Sequence, residues 1–229
     1  LPYYILTAVI LSSIYGYGKL FDKILNTNNF FKDFKNYYFF LGLSLVGSSL
    51  IIINYFIPIT NSISLIIIIL GLVIYIVLNL SKNKKNFNDL SFIFLISFVS
   101  VLISFFSGVN DDFDYHYKTI KYYNTLTVFD IIHTRQVSYN SHWLFLNNIF
   151  SLSFWLPSLF ILGSLVYSIA LFDLFKNSKK FFLEKNNYLG FYTLFVFIFL
   201  IGVMNNYKEF GTDLPGFILS LYIFIFILI

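Results

Sequence analysis

An all-α, polytopic bundle of transmembrane helices is predicted by three features of this sequence: its apolar content, the recurrence of long apolar runs, and the alternation of charge between them. Hydrophobic residues make up 58% of the 229 and charged residues only 11%, with a mean hydropathy of +0.78. A water-soluble core cannot absorb that much apolar surface. A bilayer accepts it, provided each backbone polar group is satisfied inside a helix.

The apolar runs fall at roughly 1–18, 37–58, 63–80, 90–107, 150–173, 187–204 and 214–229. Most approach the ~20 residues that cross a hydrocarbon core. The loops after the first, third and fifth runs hold Lys19, Lys23, Lys32 and Lys35, then Lys82, Lys84 and Lys85, then Lys176, Lys179, Lys180 and Lys185. An excess of Lys and Arg marks cytoplasmic loops, so these loops face the cytoplasm. The intervening loops, Pro58 to Ser62, Gly108 to Ile149 and Asn205 to Asp213, then face outward, and they carry only Lys118, Lys121, Arg135 and Lys208. About seven spans, with the first residue outside, is the self-consistent topology. Tyr37, Tyr38, Tyr55, Trp155 and Tyr207 fall near span ends, as an interfacial aromatic belt requires.

The expected organisation is one transmembrane domain over 1–229 with an outward loop at 109–149 that carries short interfacial helices. The chain starts at Leu1 and stops at Ile229 within an apolar run, so a piece of a longer protein is expected, truncated at its C-terminus. Leu1 to Gly18 has no basic leader and no small-residue cleavage site, so a signal peptide is not expected. The chain has no cysteine, which excludes disulfides and thiolate metal sites. Its net charge of +4 is explained by lysines flanking the spans, so the expected partner is the lipid bilayer and not a nucleic acid.

Against a background of Ile, Phe, Leu, Asn, Lys and Tyr, the rare residue types converge on one place. His116, His133, His142, the only arginine, Arg135, and Trp143 all lie in the second outward loop, with Asp111, Asp112, Asp114 and Asp130. That loop is about forty residues long, and ordered loops beyond about 12 to 15 usually carry function or structure of their own. Asp112 or Asp114 can cap a helix through Tyr115 to Asn124, and a second helix from about Ser141 would feed the fifth span. In the first helix His116, Thr119 and Tyr123 share a face, whereas Tyr115, Tyr122 and Ile120 lie elsewhere around it. Such a helix suits the interface better than the membrane interior.

The cluster Asp111-Asp112-Phe113-Asp114 admits three chemistries. It can be a solvated helix cap. It can be a divalent-cation site, with Asp111, Asp112 and His116 supplying hard oxygen and imidazole ligands. It can also hold a general base acting on a hydroxyl, its pKa raised by like charge nearby. Arg135 is the best candidate for bidentate phosphate binding, with a surface or interface anchor as the alternative. Lys118 and Lys121 can assist as point charges or bind lipid headgroups. His133 and His142 read more readily as hydrogen-bonded scaffold, since no two histidines have a metal-type spacing. Beyond the loop, Asp213 or Thr212 can cap a helix beginning at Pro215, and Asp213 can face the same cavity as Asp111. Inside the apolar runs, the sequence shows no ionisable Asp, Glu, Lys or Arg apart from Asp173 at a cytoplasmic end.

Asp111-Asp112-Phe113-Asp114-Tyr115-His116, followed by Ile120 and then Arg135-Gln136, resembles the first-loop pattern of GT-C-type polytopic glycosyltransferases. The stretch Asn140-Ser141-His142-Trp143 is similar to one found in bacterial membrane proteins of that superfamily. The resemblance covers about 35 residues together with the general hydropathy. It implies a bacterial-type inner-membrane enzyme of cell-envelope polysaccharide synthesis, which transfers a sugar from a polyprenyl-phosphate-linked donor to an acceptor on the non-cytoplasmic face. Asp111, with Asp112 second, would be the base or metal-binding residue; Arg135 and His116 would neutralise the leaving phosphate, and Asp114, His142 and Asp213 would line the substrate. In many such enzymes the acidic loop follows the first span, whereas here it follows the fourth. The competing classes are a transporter or flippase-like protein, whose path Asn54, Asn79 and Ser104 would line, and an assembly protein with no site.

Overall fold

A computed structural model describes residues 2–25, 36–80, 86–105, 117–131, 142–150 and 158–202, with helical positions at 218, 220 and 221. Every regular element among the described residues is an α-helix: α1 Pro2–Leu25, α2 Tyr37–Phe56, α3 Asn61–Leu80, α4 Asn86–Ser104, α5 Tyr117–Thr125, α6 Val128–Ile131, α7 His142–Phe150, α8 Ser158–Leu183 and α9 Asn187–Gly202. The all-α expectation holds. Among the described residues, four helices are long and apolar enough to cross a membrane: Tyr3–Leu25, Tyr37–Phe56, Asn61–Asn79 and Phe160–Leu183. The apolar stretches Leu90–Ser104 and Asn187–Gly202 are shorter. The seventh expected run lies mostly outside the described residues.

Local chemistry explains the element ends. α2 stops before Pro58: the preceding residue, Ile57, is extended at φ −144 and ψ 144 while its N–H still bonds Ile53 O. Proline forbids the α conformation to the residue before it, so the helix cannot continue. The connection to α3 is therefore a tight turn, and Ser64 N–H bonds Thr60 O to open the next helix.

The bounds of two expected spans are corrected. The first span does not end at Gly18, since α1 continues through Lys19, Asp22 and Lys23 to Leu25. The fifth does not begin at 150 or end at Asp173, since α8 runs from Ser158 to Leu183 and takes in Lys176, Lys179 and Lys180. Lysine is a good helix former, and its long stem lets the ammonium reach water from the end of a buried helix. Hydropathy therefore drops several residues before the helix does.

α1 packs against α2, α3 and α4, and α8 packs against α4 and α9. The α1–α3 approach is set by glycines: a Cβ on Gly16 would overlap Gly71 O, and one on Gly71 would overlap Ser13. Small residues let two helix backbones come this close where lipid supplies no hydrophobic drive between them. Tyr17 Oη donates to Ile67 O at 2.8 Å across the same seam. Between α4 and α8, Ser100 Oγ reaches Ser168 Oγ at 3.2 Å and Ser164 O at 3.4 Å. The opposite face of α3 leaves Leu65, Ile66, Ile69, Leu70, Val73, Ile76 and Val77 exposed, a continuous apolar face of the kind that lipid covers and water does not.

Candidate functional site

The long loop between α4 and α8 has a folded scaffold. The first expected helix is α5, beginning at Tyr117, and the second is α7, beginning at His142. The four-residue α6 between them was not anticipated. α5 buries Thr119, Ile120 and Tyr123, so Ile120 joins the inward face instead of lying elsewhere. Its β-branched apolar side chain is better placed in a packed seam than in water. The Tyr123 ring stacks on Phe145 of α7, with centroids 4.0 Å apart and planes at 17°.

The last carbonyls of a helix have no partner within it and must find one outside. For α5 the partner is the C-terminal end of α2. Asn54, fully buried, shares its amide N–H₂ among Leu126 O at 3.2 Å, Ile57 O at 3.4 Å and Tyr123 O at 3.5 Å. Ile59 N–H donates to Tyr123 O at 2.8 Å. Asn54→Ala removes the donor shared by Leu126 O and Ile57 O, while Tyr123 O keeps Ile59 N–H, at a cost of about 0.5 to 1.5 kcal/mol. Faster hydrogen exchange over α5, with α2 unchanged, is the expected readout; exchange like that of the parent protein would show that α5 does not depend on Asn54.

α6 is closed by a reciprocal cap. Thr127 N–H and Oγ1 both donate to Asp130 Oδ2, at 2.9 and 2.7 Å, and Asp130 N–H faces Thr127 Oγ1 at 3.4 Å. The Thr127 hydroxyl first, and its backbone N–H second, hold the exposed Asp130 carboxyl below its usual range. A lowered folded-state pKa means that the cap helps above the unfolded value and is lost as pH falls through the folded one. Asp130 is a structural acid.

α7 is not the first turn of the fifth span. Leu144 to Phe150 are all buried, and the helix packs on α1, α2, α3, α5 and α8. Nine residues span only about 14 Å, under half of a hydrocarbon core. It is a short helix set into the bundle, and it carries the buried pair Asn147 and Asn148.

The candidate residues hang from this scaffold. Asp111, Asp112, Asp114 and His116 lie in the segment joining α4 to α5, and Arg135 in that joining α6 to α7, both outside the described residues. His116 immediately precedes α5, which packs against α7. His142 opens α7, but its side chain is outside the described set, as is Asp213. The possible cation ligands Asp111, Asp112 and His116 likewise fall outside it.

At the lysine-rich end of the bundle Asp173, noted from the sequence, joins polar residues that sequence reading missed, Asp22, Asn36 and Asn177 among them. Asp22 and Asp173 are buried, at 4% and 2% exposure. Tyr37 Oη donates to Asp22 Oδ1, Tyr15 Oη to Asn36 Oδ1 at 2.9 Å, and Asn36 Nδ2 to Asp173 Oδ1 at 2.6 Å. Lys19 Nζ donates to Asn79 Oδ1 at 2.9 Å and lies 5.0 Å from the centroid of the Tyr75 ring. α1, α2 and α8 are thus tied through the start of α2, and α3 is held alongside. One turn beyond Asp173, Asn177 is buried with neither amide atom hydrogen-bonded. The expectation of spanning helices without ionisable groups is therefore corrected for α1 and α8. The available signal was Tyr15, Lys19 and Asp22, which fall on one helical face by i, i+4, i+7 spacing. Tyr37→Phe removes a donor from a buried carboxylate, which costs about 1.5 to 3 kcal/mol; a lower unfolding temperature in detergent is expected, and an unchanged one would show that Asp22 does not rely on Tyr37.

The model of a protein family described as "Domain of unknown function (DUF8201)" matches residues 3–229. No curated protein and no solved structure matches the chain.

Proposed function

The chain belongs to the DUF8201 family, and from its own residues we propose that it is a multi-pass glycosyltransferase of a bacterial-type inner membrane, with about seven spans. It transfers a sugar from a polyprenyl-phosphate-linked donor to an acceptor on the non-cytoplasmic face. The supporting observation is the docked α5–α7 scaffold. Asn54 and Tyr123 fix α5 against α2 and α7, and in sequence the acidic segment directly precedes α5 while the Arg135 segment directly precedes α7.

In this reading Asp111, with Asp112 second, takes the proton from the acceptor hydroxyl as its oxygen attacks the anomeric carbon. The bond from that carbon to the phosphate oxygen breaks on the opposite face. Arg135 and His116 receive the charge that develops on the departing phosphate. The test is to incubate purified protein with polyprenyl-phosphate sugars and assay released polyprenyl phosphate. Failure to turn over any such donor would sink the proposal.

The second reading is a transporter or flippase-like protein. One observation favours it: buried carboxylates inside spanning helices, Asp22 and Asp173, beside the orphaned Asn177 amide. Ionisable groups within spans default to a functional role. Proteoliposome flux that stops in Asp173→Asn, with no phosphate release in either protein, would select this reading.

A further inference from the structure

The exposed side of α5 and α6 is chemically unlike both the buried scaffold and a solvated loop. α5 turns Thr119, Ile120 and Tyr123 inward and leaves Lys118, Lys121, Tyr122 and Thr125 exposed. Their i, i+3, i+4, i+7 spacing makes them one stripe. α6 adds Phe129, 61% exposed, its ring 5.5 Å from that of Tyr55. Tyr55, Phe56 and Ile57 at the end of α2 are also exposed, Phe56 at 78%. α2 is one of the helices long and apolar enough to cross a membrane, so this aromatic collar sits where a span leaves the hydrocarbon.

We infer that α5 and α6 form a lipid-docking element: Phe129 and Phe56 enter the acyl boundary, and Lys118 and Lys121 meet the phosphates of anionic phospholipid headgroups in the same leaflet. Aromatic rings in water at a span end are unfavourable, whereas the interface accommodates both their apolar bodies and the tyrosine hydroxyls. Lysine stems lie along apolar surface while their ammonium groups reach the phosphate level. Each lysine near an anionic leaflet is drawn to it by a surface potential of opposite sign. An apolar protein groove would instead strip water from two ammonium groups, so a phospholipid surface is the better occupant. This inference rests on the membrane placement of α2 and is independent of sugar transfer.

The absence of cysteine makes the test direct. Single cysteines at Phe129, Lys121 and Ile69, the last on the outward apolar face of α3, are nitroxide-labelled in the full chain. The protein is reconstituted in phosphatidylcholine and phosphatidylglycerol vesicles, and accessibility to oxygen is compared with that to a polar nickel chelate. Oxygen should relax the Ile69 and Phe129 labels preferentially, with the Lys121 label intermediate, at phosphate depth. The paired change Lys118→Gln and Lys121→Gln should lower phosphatidylglycerol retained per protein in native mass spectrometry several-fold and leave phosphatidylcholine unchanged. A Phe129 label as open to the chelate as a water-exposed site, with Ile69 in lipid, overturns the inference. Closure of the Phe129 label to both reagents also overturns it, in favour of a protein partner. Unchanged phosphatidylglycerol retention removes the headgroup contact, and an Ile69 label in water removes the membrane premise.

Discussion

Gly16→Leu is expected to abolish recovery of folded, monodisperse protein in detergent, at a cost of about 3 kcal/mol or more. A Cβ at this position would overlap Gly71 O and lie 2.9 Å from Tyr75 N. Both are backbone atoms of a neighbouring spanning helix and cannot swing aside as a side chain can. Separating α1 from α3 to make room would disturb the Tyr17 bond to Ile67 O and open voids in a close-packed seam. Gly163→Ala is the internal control, because a Cβ there meets nothing within 4 Å. Alanine in a helix interior is favoured over glycine by about 1 kcal/mol, so that variant should unfold at the parent temperature or slightly above. A Gly16→Leu protein that melts with the parent would show that the α1–α3 approach is looser than its backbone atoms indicate.

Helix identity was legible wherever the apolar pattern ended on a chemical stop. The run 37–58 became α2 because Pro58 terminates both the hydropathy and the helix, and 63–80 became α3 with the added turn from Asn61. Ends marked only by lysine were misplaced. A hydropathy window falls at the first charge, but helical hydrogen bonding continues through Lys19 and Lys23, or through Lys176 and Lys180. The burial of α7 was hidden for a different reason: a nine-residue apolar helix set into a bundle and the first turns of a span look alike in composition. The Asp22 and Asp173 network was hidden because its partners are distant in sequence, with Asn36 bonding to Asp173 across 137 positions. The rare-residue clustering did point to a loop with structure, and α5 and α7 begin within two residues or so of the positions expected for them.

Asp111→Asn should cut release of polyprenyl phosphate by about 10²- to 10⁴-fold, the usual worth of a positioned general base. Asparagine keeps the size of the side chain and its place after α4 but cannot accept the acceptor proton. Arg135→Ala should cost about 10²- to 10³-fold, since a guanidinium that meets the leaving phosphate acts where charge develops. Protein level and unfolding temperature should stay those of the parent, so that lost turnover reads the chemistry and not the folding. Asp22→Asn and Asp173→Asn divide the two readings. In a transferase these carboxylates tie α1, α2 and α8 at the lysine-rich end, so their loss lowers the unfolding temperature while the folded fraction keeps its turnover. In a transporter the same changes stop flux in protein that remains folded. Parent-like phosphate release by both Asp111→Asn and Arg135→Ala would remove the outward loop from catalysis and leave the buried carboxylates as the site to pursue.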